Sequence, residues 1–230
     1  MVLVLVAIAI VPSAPVLVPQ LAGAAAADLV DLRDAVLTAA AALPARWIAI
    51  GVGAADAVWG PETSGTFAGF GVDVAVGLSP QAGAQTELPL CALIAGWIRG
   101  QAGPAAHAQV RSYPAAQSSE SALGAGRALR AELDGDAEPT GLLVVADGCH
   151  TLTPAAPGGH DPASAAVQAR LDDALACGDP AALAALPDSV VGRVAFAVLA
   201  GVADPAPHTA TELYRGAPFG VGYAVDIWQP

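Results

Sequence analysis

Residues 1–11 read MVLVLVAIAIV, an unbroken apolar run that stops at Pro12. A strand with one wet face alternates apolar and polar residues, whereas a strand covered on both faces reads as continuous Val, Leu and Ile. The run therefore predicts a buried strand of a parallel sheet. It has no basic residue before it, and it falls well short of the roughly 20 residues needed to span a bilayer, so a degenerate signal peptide is the weaker alternative. Two further runs carry the same signature, residues 46–51 (RWIAIG) and residues 141–146 (GLLVVA).

Between these runs the apolar period switches to that of helices. Residues 24–43 follow a loop over 12–23 and end before Pro44, giving a strand–loop–helix unit. A long Gly-rich loop occupies 52–71, long enough to form a site wall. Short strands are expected at 72–76 and 106–113, helices at 88–99, 118–133, 164–177, 181–186 and 189–202, and a closing strand at 219–228. The turn at 134–140 and the polar loop at 147–162 flank GLLVVA. Strands alternating with helices predict an α/β fold, one domain over residues 1–230 with a mostly parallel or mixed central sheet flanked by helices.

Composition narrows the chemistry. The 230 residues are 55% hydrophobic and 13% charged, Ala-rich, and carry a net charge of −12. All nine basic residues are Arg. Without Lys there is no Schiff-base or pyridoxal-phosphate mechanism and no Walker A loop. A pI near 4.4 argues against nucleic acid and anionic membrane surfaces as partners. Three Cys (Cys91, Cys149, Cys177) with no CxxC spacing support neither a disulfide framework nor a zinc ribbon, which fits a cytoplasmic protein.

Ligands of open parallel sheets bind beyond the carboxyl ends of the strands, so three loops are candidates. The first offers Ser13, a lone hydroxyl between Pro12 and Pro15. The second begins Gly51-Val52-Gly53-Ala54-Ala55-Asp56; an acidic residue where a dinucleotide fingerprint needs its third Gly removes that reading. The third, Ala146-Asp147-Gly148-Cys149-His150 onward through His160 and Asp161, is the richest. His150 follows a strand end and a flexible Gly148, with Asp147 three residues back, so it is the candidate acid/base. Cys149 is its neighbour, but adjacent side chains diverge, which disfavours a Cys149/His150 dyad. The spacing of His150, His160, Asp147 and Asp161 matches no recurrent metal site. His107 and His208 read as solvated, and the four Trp as core or interface.

Residues 144–162 (VVADGCHTLTPAAPGGHDP) are similar to the GDLSH-RLTP-AP-GYDP stretch of the class III extradiol ring-cleavage dioxygenase superfamily, the group of the catalytic subunit of protocatechuate 4,5-dioxygenase. Residues 11–21 (VPSAPVLVPQL) look like that group's opening PHPPLLVPE. Residues 63–72 (TSGTFAGFGV) resemble the loop after its second strand, and residues 217–223 (APFGVGY) its C-terminal GPFGVGY. The matches lie in order along nearly the whole chain. The resemblance implies that superfamily's α/β fold and, in active members, an Fe(II) held by two His and one Glu with open positions for a catecholate and O₂, beside an acid/base His. Carried across, the first His ligand falls on Ser13, the second near Gly53, and the Glu near Gly216; only the acid/base position keeps its residue, His150. A hydroxyl and a bare backbone do not replace two imidazoles, so no metal ligands, no Fe(II) cofactor and no ring cleavage are expected. The expected function is a small-molecule or partner-binding crevice around His150, bordered by Ser13, Gly53, Cys149 and His160. The alternative is an enzyme using His150, with Asp147, as general acid/base on an aromatic or carbonyl substrate, or a ring-cleaving dioxygenase with a non-standard metal site. A homodimer is expected by analogy with oligomeric relatives.

Overall fold

The computed structural model describes residues 4–83 and 85–230. The three apolar runs become strands β1 (Leu5–Val11), β2 (Arg46–Gly53) and β7 (Thr140–Val145), with β3 (Ala57–Trp59), β4 (Ser64–Thr66), β5 (Ala75–Gly77) and β6 (His107–Pro114) between the last two. β8 (Thr209–Gly216) and β9 (Tyr223–Gln229) complete the strands. The helices are α1 (Pro19–Ala22), α2 (Val30–Ala41), α3 (Leu90–Ala102), α4 (Ser119–Asp134), α5 (Ser164–Cys177), α6 (Pro180–Ala184) and α7 (Arg193–Val202). Residues 1–3 of the N-terminal run lie outside the described residues.

Seven strands form one mixed sheet in the order β3-β6-β2-β7-β1-β9-β8, while β4 and β5 form a separate hairpin. β6, β2, β7 and β1 run parallel; β3 and β9 pair antiparallel with their neighbours, as does β8 with β9. β7 lies between β1 and β2, and all six of its residues are buried, which is why it reads as a continuous apolar run.

The sheet divides the core in two. Ala7, Ala9, Val11, Ala49 and Val145 face α2 and α3; Ile8, Ile10, Ile50, Leu142 and Val144 face α4, α5 and α7. The first face is lined with small residues, and a Cβ on Gly51 would come within 2.3 Å of Cys91 Cβ, so α3 approaches the sheet closely. α3 is buried nearly all round because the β4–β5 hairpin covers its far side, Val76 packing on Gly96. Arg99, at the end of this buried helix, spends its guanidinium on the carbonyls of Gly77 and Pro104 at 2.7 Å each.

The structure corrects several expected boundaries. Residues 24–29 belong to a 3-10 turn, Gly23–Leu29, and α2 starts only at Val30: no side chain caps the Ala-rich start. The strand expected at 72–76 is reduced to β5, outside the main sheet. Residues 189–192 form a turn, in which Val190 bridges Cys149, and α7 begins at Arg193. Residues 219–222 are a turn with Gly220 at φ 73°, so the closing strand begins at Tyr223. β8 was not expected at all. As an edge strand reading TATELYRG, with most side chains exposed or half-exposed, it lacks the apolar run that marked the others.

Candidate functional site

The turns after β1, β2, β6 and β7 meet beyond the carboxyl edge of the sheet, but they divide between its faces. The turn after β1 drops Ala14, Leu17 and Val18 into the core on the α2/α3 side. The loop after β7 instead runs along the α5/α7 side, where Cys149 joins the other core. Asp147 joins the two: its Oδ1 accepts the Ser13 N–H at 2.8 Å. Burial pushes the Asp147 carboxyl up to about 7, against the lowering effect of that one N–H. Tyr223 is close enough to feel the Asp147 charge, and burial pushes its phenol above the ordinary range.

His150 lines a cleft of about 740 Å³ formed by three segments. They are residues 115–119 after β6, which lead into α4; the loop carrying His150; and residues 188–194 leading into α7. Arg193 ties the walls together. Its Nη1 donates to Ser119 Oγ at 3.1 Å, its Nη2 to the carbonyls of Ala115 and Gln117 at 3.3 and 3.1 Å, and its Nε pairs with Asp188 at 3.0 Å. Val190, Val191 and Val194 supply the apolar part, and Val191 is exposed. The imidazole packs against Gly158, where a Cβ would approach Cδ2 and Nε2 to 2.5 and 2.6 Å. His150 Nδ1 is enclosed and has no hydrogen-bond partner.

The loop is fastened from beneath by Gln168 of α5. Its Oε1 accepts the Cys149 N–H at 2.8 Å, and its Nε2 donates to Asp172 Oδ1 at 2.7 Å. Its amide is sandwiched between Gly148 and Gly222, where added Cβ atoms would come within 2.2 and 2.1 Å of its Oε1. Ser164 at the start of α5 is bound to Thr151 of the loop at 2.6 Å.

The expected site residues therefore separate. Ser13 and Asp147 meet directly, and His150 sits at a cleft as its position implied. Gly53 packs instead on Ser112 and Pro89, where a Cβ would come within 2.8 Å of Ser112 Cβ. Neither Gly53 nor Ser13 is among the cleft-lining residues, because the sheet edge stands between the face that takes the first turn and the face that takes the third. Cys149 is fully buried, and burial raises its thiol, against hydrogen bonds with Ser189 and Ser164. It faces the core rather than His150. His160 is exposed and outside the cleft.

The iron chemistry implied by the resemblance does not fit these residues. Ser13 and Gly53 offer no imidazole, and among the described residues no group of three or more His, Cys, Asp or Glu is placed to hold a metal ion. Sequence reasoning missed Gln168 and Arg193, whose roles depend on contacts across 19 and 74 to 78 positions. No local pattern marks either.

No family model matches the sequence, and the search of curated proteins found no match. The fold is similar to that in the crystal structure of uncharacterized protein JW3007 from Escherichia coli K12, with a TM-score of 0.59 over 98% of this chain and 100% of that one. At 10% identity the likeness extends to the fold alone. No described helix is long and apolar enough to cross a membrane. The chain is a single α/β domain whose mixed seven-stranded sheet carries helices on both faces.

Proposed function

We propose that this chain is a divergent relative of the class III extradiol dioxygenases that binds a small organic molecule in the cleft at His150 and does not cleave rings through iron. One observation carries the reading: His150 sits in a cleft of about 740 Å³ with an imidazole nitrogen that no group of the protein satisfies. An enclosed polar atom left without a partner costs about 1–3 kcal/mol, which a ligand that reorients the ring recovers. The volume suits a small molecule, and three Val beside Gln117, Ser118, Ser119 and Asp188 give a mixed lining suited to a ligand with both an apolar face and polar groups. Arg193 spends four of its five N–H donors on the walls, so it mainly shapes the cleft and leaves recognition to His150 and the apolar surface.

The test is a fragment screen of neutral and phenolic aromatics followed by the His150 ring resonances. Hits that shift those signals and lose about tenfold or more in affinity in His150→Ala support the reading. Hits that ignore His150, or stoichiometric Fe, Mn or Zn in metal-replete protein that disappears in His150→Ala, sink it.

One observation favours a catalytic second reading. Asp147, raised to about 7 by burial, holds a proton near neutrality and is suited to trade it. On that reading His150 meets a carbonyl or phenolic substrate in the cleft, while Asp147, outside the cleft on the Ser13 side of the β7 turn, acts through the loop that carries His150. A pH–rate profile that loses one limb in Asp147→Asn would distinguish it from binding alone.

A further inference from the structure

Asp226 of β9 is 1% exposed, and neither of its carboxyl oxygens has a hydrogen-bond partner. Ala224 and Trp228, which share its face of the strand, belong to the core beneath α5, and Trp228 Nε1 donates to the Leu175 carbonyl of that helix at 2.8 Å. In the ladder Asp226 stands opposite Ile10 of β1 and Glu212 of β8. Like charges directly opposite one another across a sheet are destabilising.

The surrounding charges leave an ionised Asp226 without a free counter-ion. β8 presents Glu212 and Arg215, but Arg215 donates to Glu212 at 2.7 Å and to Asp173 of α5 at 3.0 Å. α5 presents Asp172, which accepts from Gln168. β1, reading LVAIAIV, has no titratable group. α2 lies on the other face of the sheet, where Asp31, Tyr214 and Tyr223 belong. A buried charge without a partner neutralises or moves toward water.

We propose that Asp226 is a pH-operated latch on the loop carrying His150, closed while its carboxyl is neutral and opened when it ionises. The connection is physical at each link. Asp226 lies under α5, and repulsion from Glu212 and Asp172 after ionisation drives the helix and strand apart. α5 carries Gln168, whose amide holds the Cys149 N–H next to His150, and Ser164, which holds Thr151. Burial, followed by the Glu212 and Asp172 charges, pushes the Asp226 carboxyl up to about 7 against the pull of Arg215, so the latch works across neutrality. As a control on ligand access the latch rests on the reading of the cleft as the binding site; as a motion of α5 and its loop it stands without any ligand.

Hydrogen exchange of the full chain at about pH 6 and about pH 8.5, corrected for the intrinsic chemical rate, reads the latch directly. Residues 147–162 and α5 are expected to exchange about tenfold faster at the higher pH, beyond any change in the amides of β2 and β6, an excess that Asp226→Asn removes and Asp147→Asn retains. An excess that survives Asp226→Asn, vanishes in Asp147→Asn alone, or is absent from the unaltered protein overturns the proposal. If Asp226→Asn does not fold, the carboxyl carbon resonance of Asp226 in the unaltered protein decides. A midpoint near neutrality that matches the exchange transition supports the latch, and a midpoint below about pH 5 overturns it. Failure of the cleft reading shows up in fragment binding and leaves this exchange pattern intact.

Discussion

Gln168 fastens the His150 loop from outside it, across 19 positions of sequence. Its amide oxygen satisfies the buried Cys149 N–H, and its amide nitrogen reaches Asp172. The flat group fits because Gly148 and Gly222 leave room above and below. Gln168→Ala would leave a buried donor unpaired and a gap between two glycines. It is expected to cost about 2–4 kcal/mol in urea unfolding and to broaden the His150 ring signals. Gln168→Glu keeps the acceptor for Cys149 but sets a carboxylate against Asp172. It should therefore recover part of the stability only at a pH low enough to protonate one of the pair. If the alanine variant proves as stable as the parent, Gln168 is not the fastener described here.

At the scale of elements, the wall of the cleft depends on how closely α4 and α7 cross. Gly126 of α4 faces the Val198 carbonyl and Gly201 of α7 faces the Leu123 carbonyl, with room for a Cβ at neither, since one would fall within 2.1 and 2.3 Å. Alanine is the better helix former by about 1 kcal/mol, so an exposed glycine replaced by it would gain stability. Here the clash is with backbone, which does not swing aside. Gly126→Ala is therefore expected to lose about 1–3 kcal/mol, seen as a lower urea midpoint. Gly124→Ala, on the same helix with open space around it, should be neutral or stabilising and serves as the control.

For the whole molecule, Asp226, which is buried, and Asp147, which is partly so, dominate the response to pH, with Asp172 shifted in the same direction by burial. Asp147 and Asp226 both titrate near 7 when folded, against 3.8 as the ordinary value. Above about pH 4 the unfolded chain releases protons that the folded chain keeps, so stability is greatest below that point. It declines as pH rises toward 7 and levels off above it. Glu132 and Asp136 are shifted the other way by Arg111 and Arg46, but they lie at the surface and matter only at the acid end. Urea unfolding from about pH 5 to about pH 8 should show a loss on the order of 5 kcal/mol, about half of it from each carboxyl. Asp147→Asn and Asp226→Asn should each flatten part of the slope and the double variant most of it. A curve that rises over this interval would contradict the burial argument for both residues.

The apolar runs were enough to call β1, β2 and β7, because a strand buried on both faces has nowhere to place a polar side chain and so declares itself in any window of six residues. Helices α3, α4 and α5 were legible from their period, and His150 from its place after a strand end. β8 escaped because an edge strand exposes its side chains and carries no apolar run. The division of the expected site, with Ser13 on Asp147, Gly53 against Ser112 and His150 in a separate cleft, was decided by which face of the sheet each turn drops onto. The roles of Gln168, Arg193 and Asp226 were likewise set by what packs against them from distant parts of the chain. Burial and polar satisfaction are properties of neighbours in space, and a linear sequence names neighbours only along the chain.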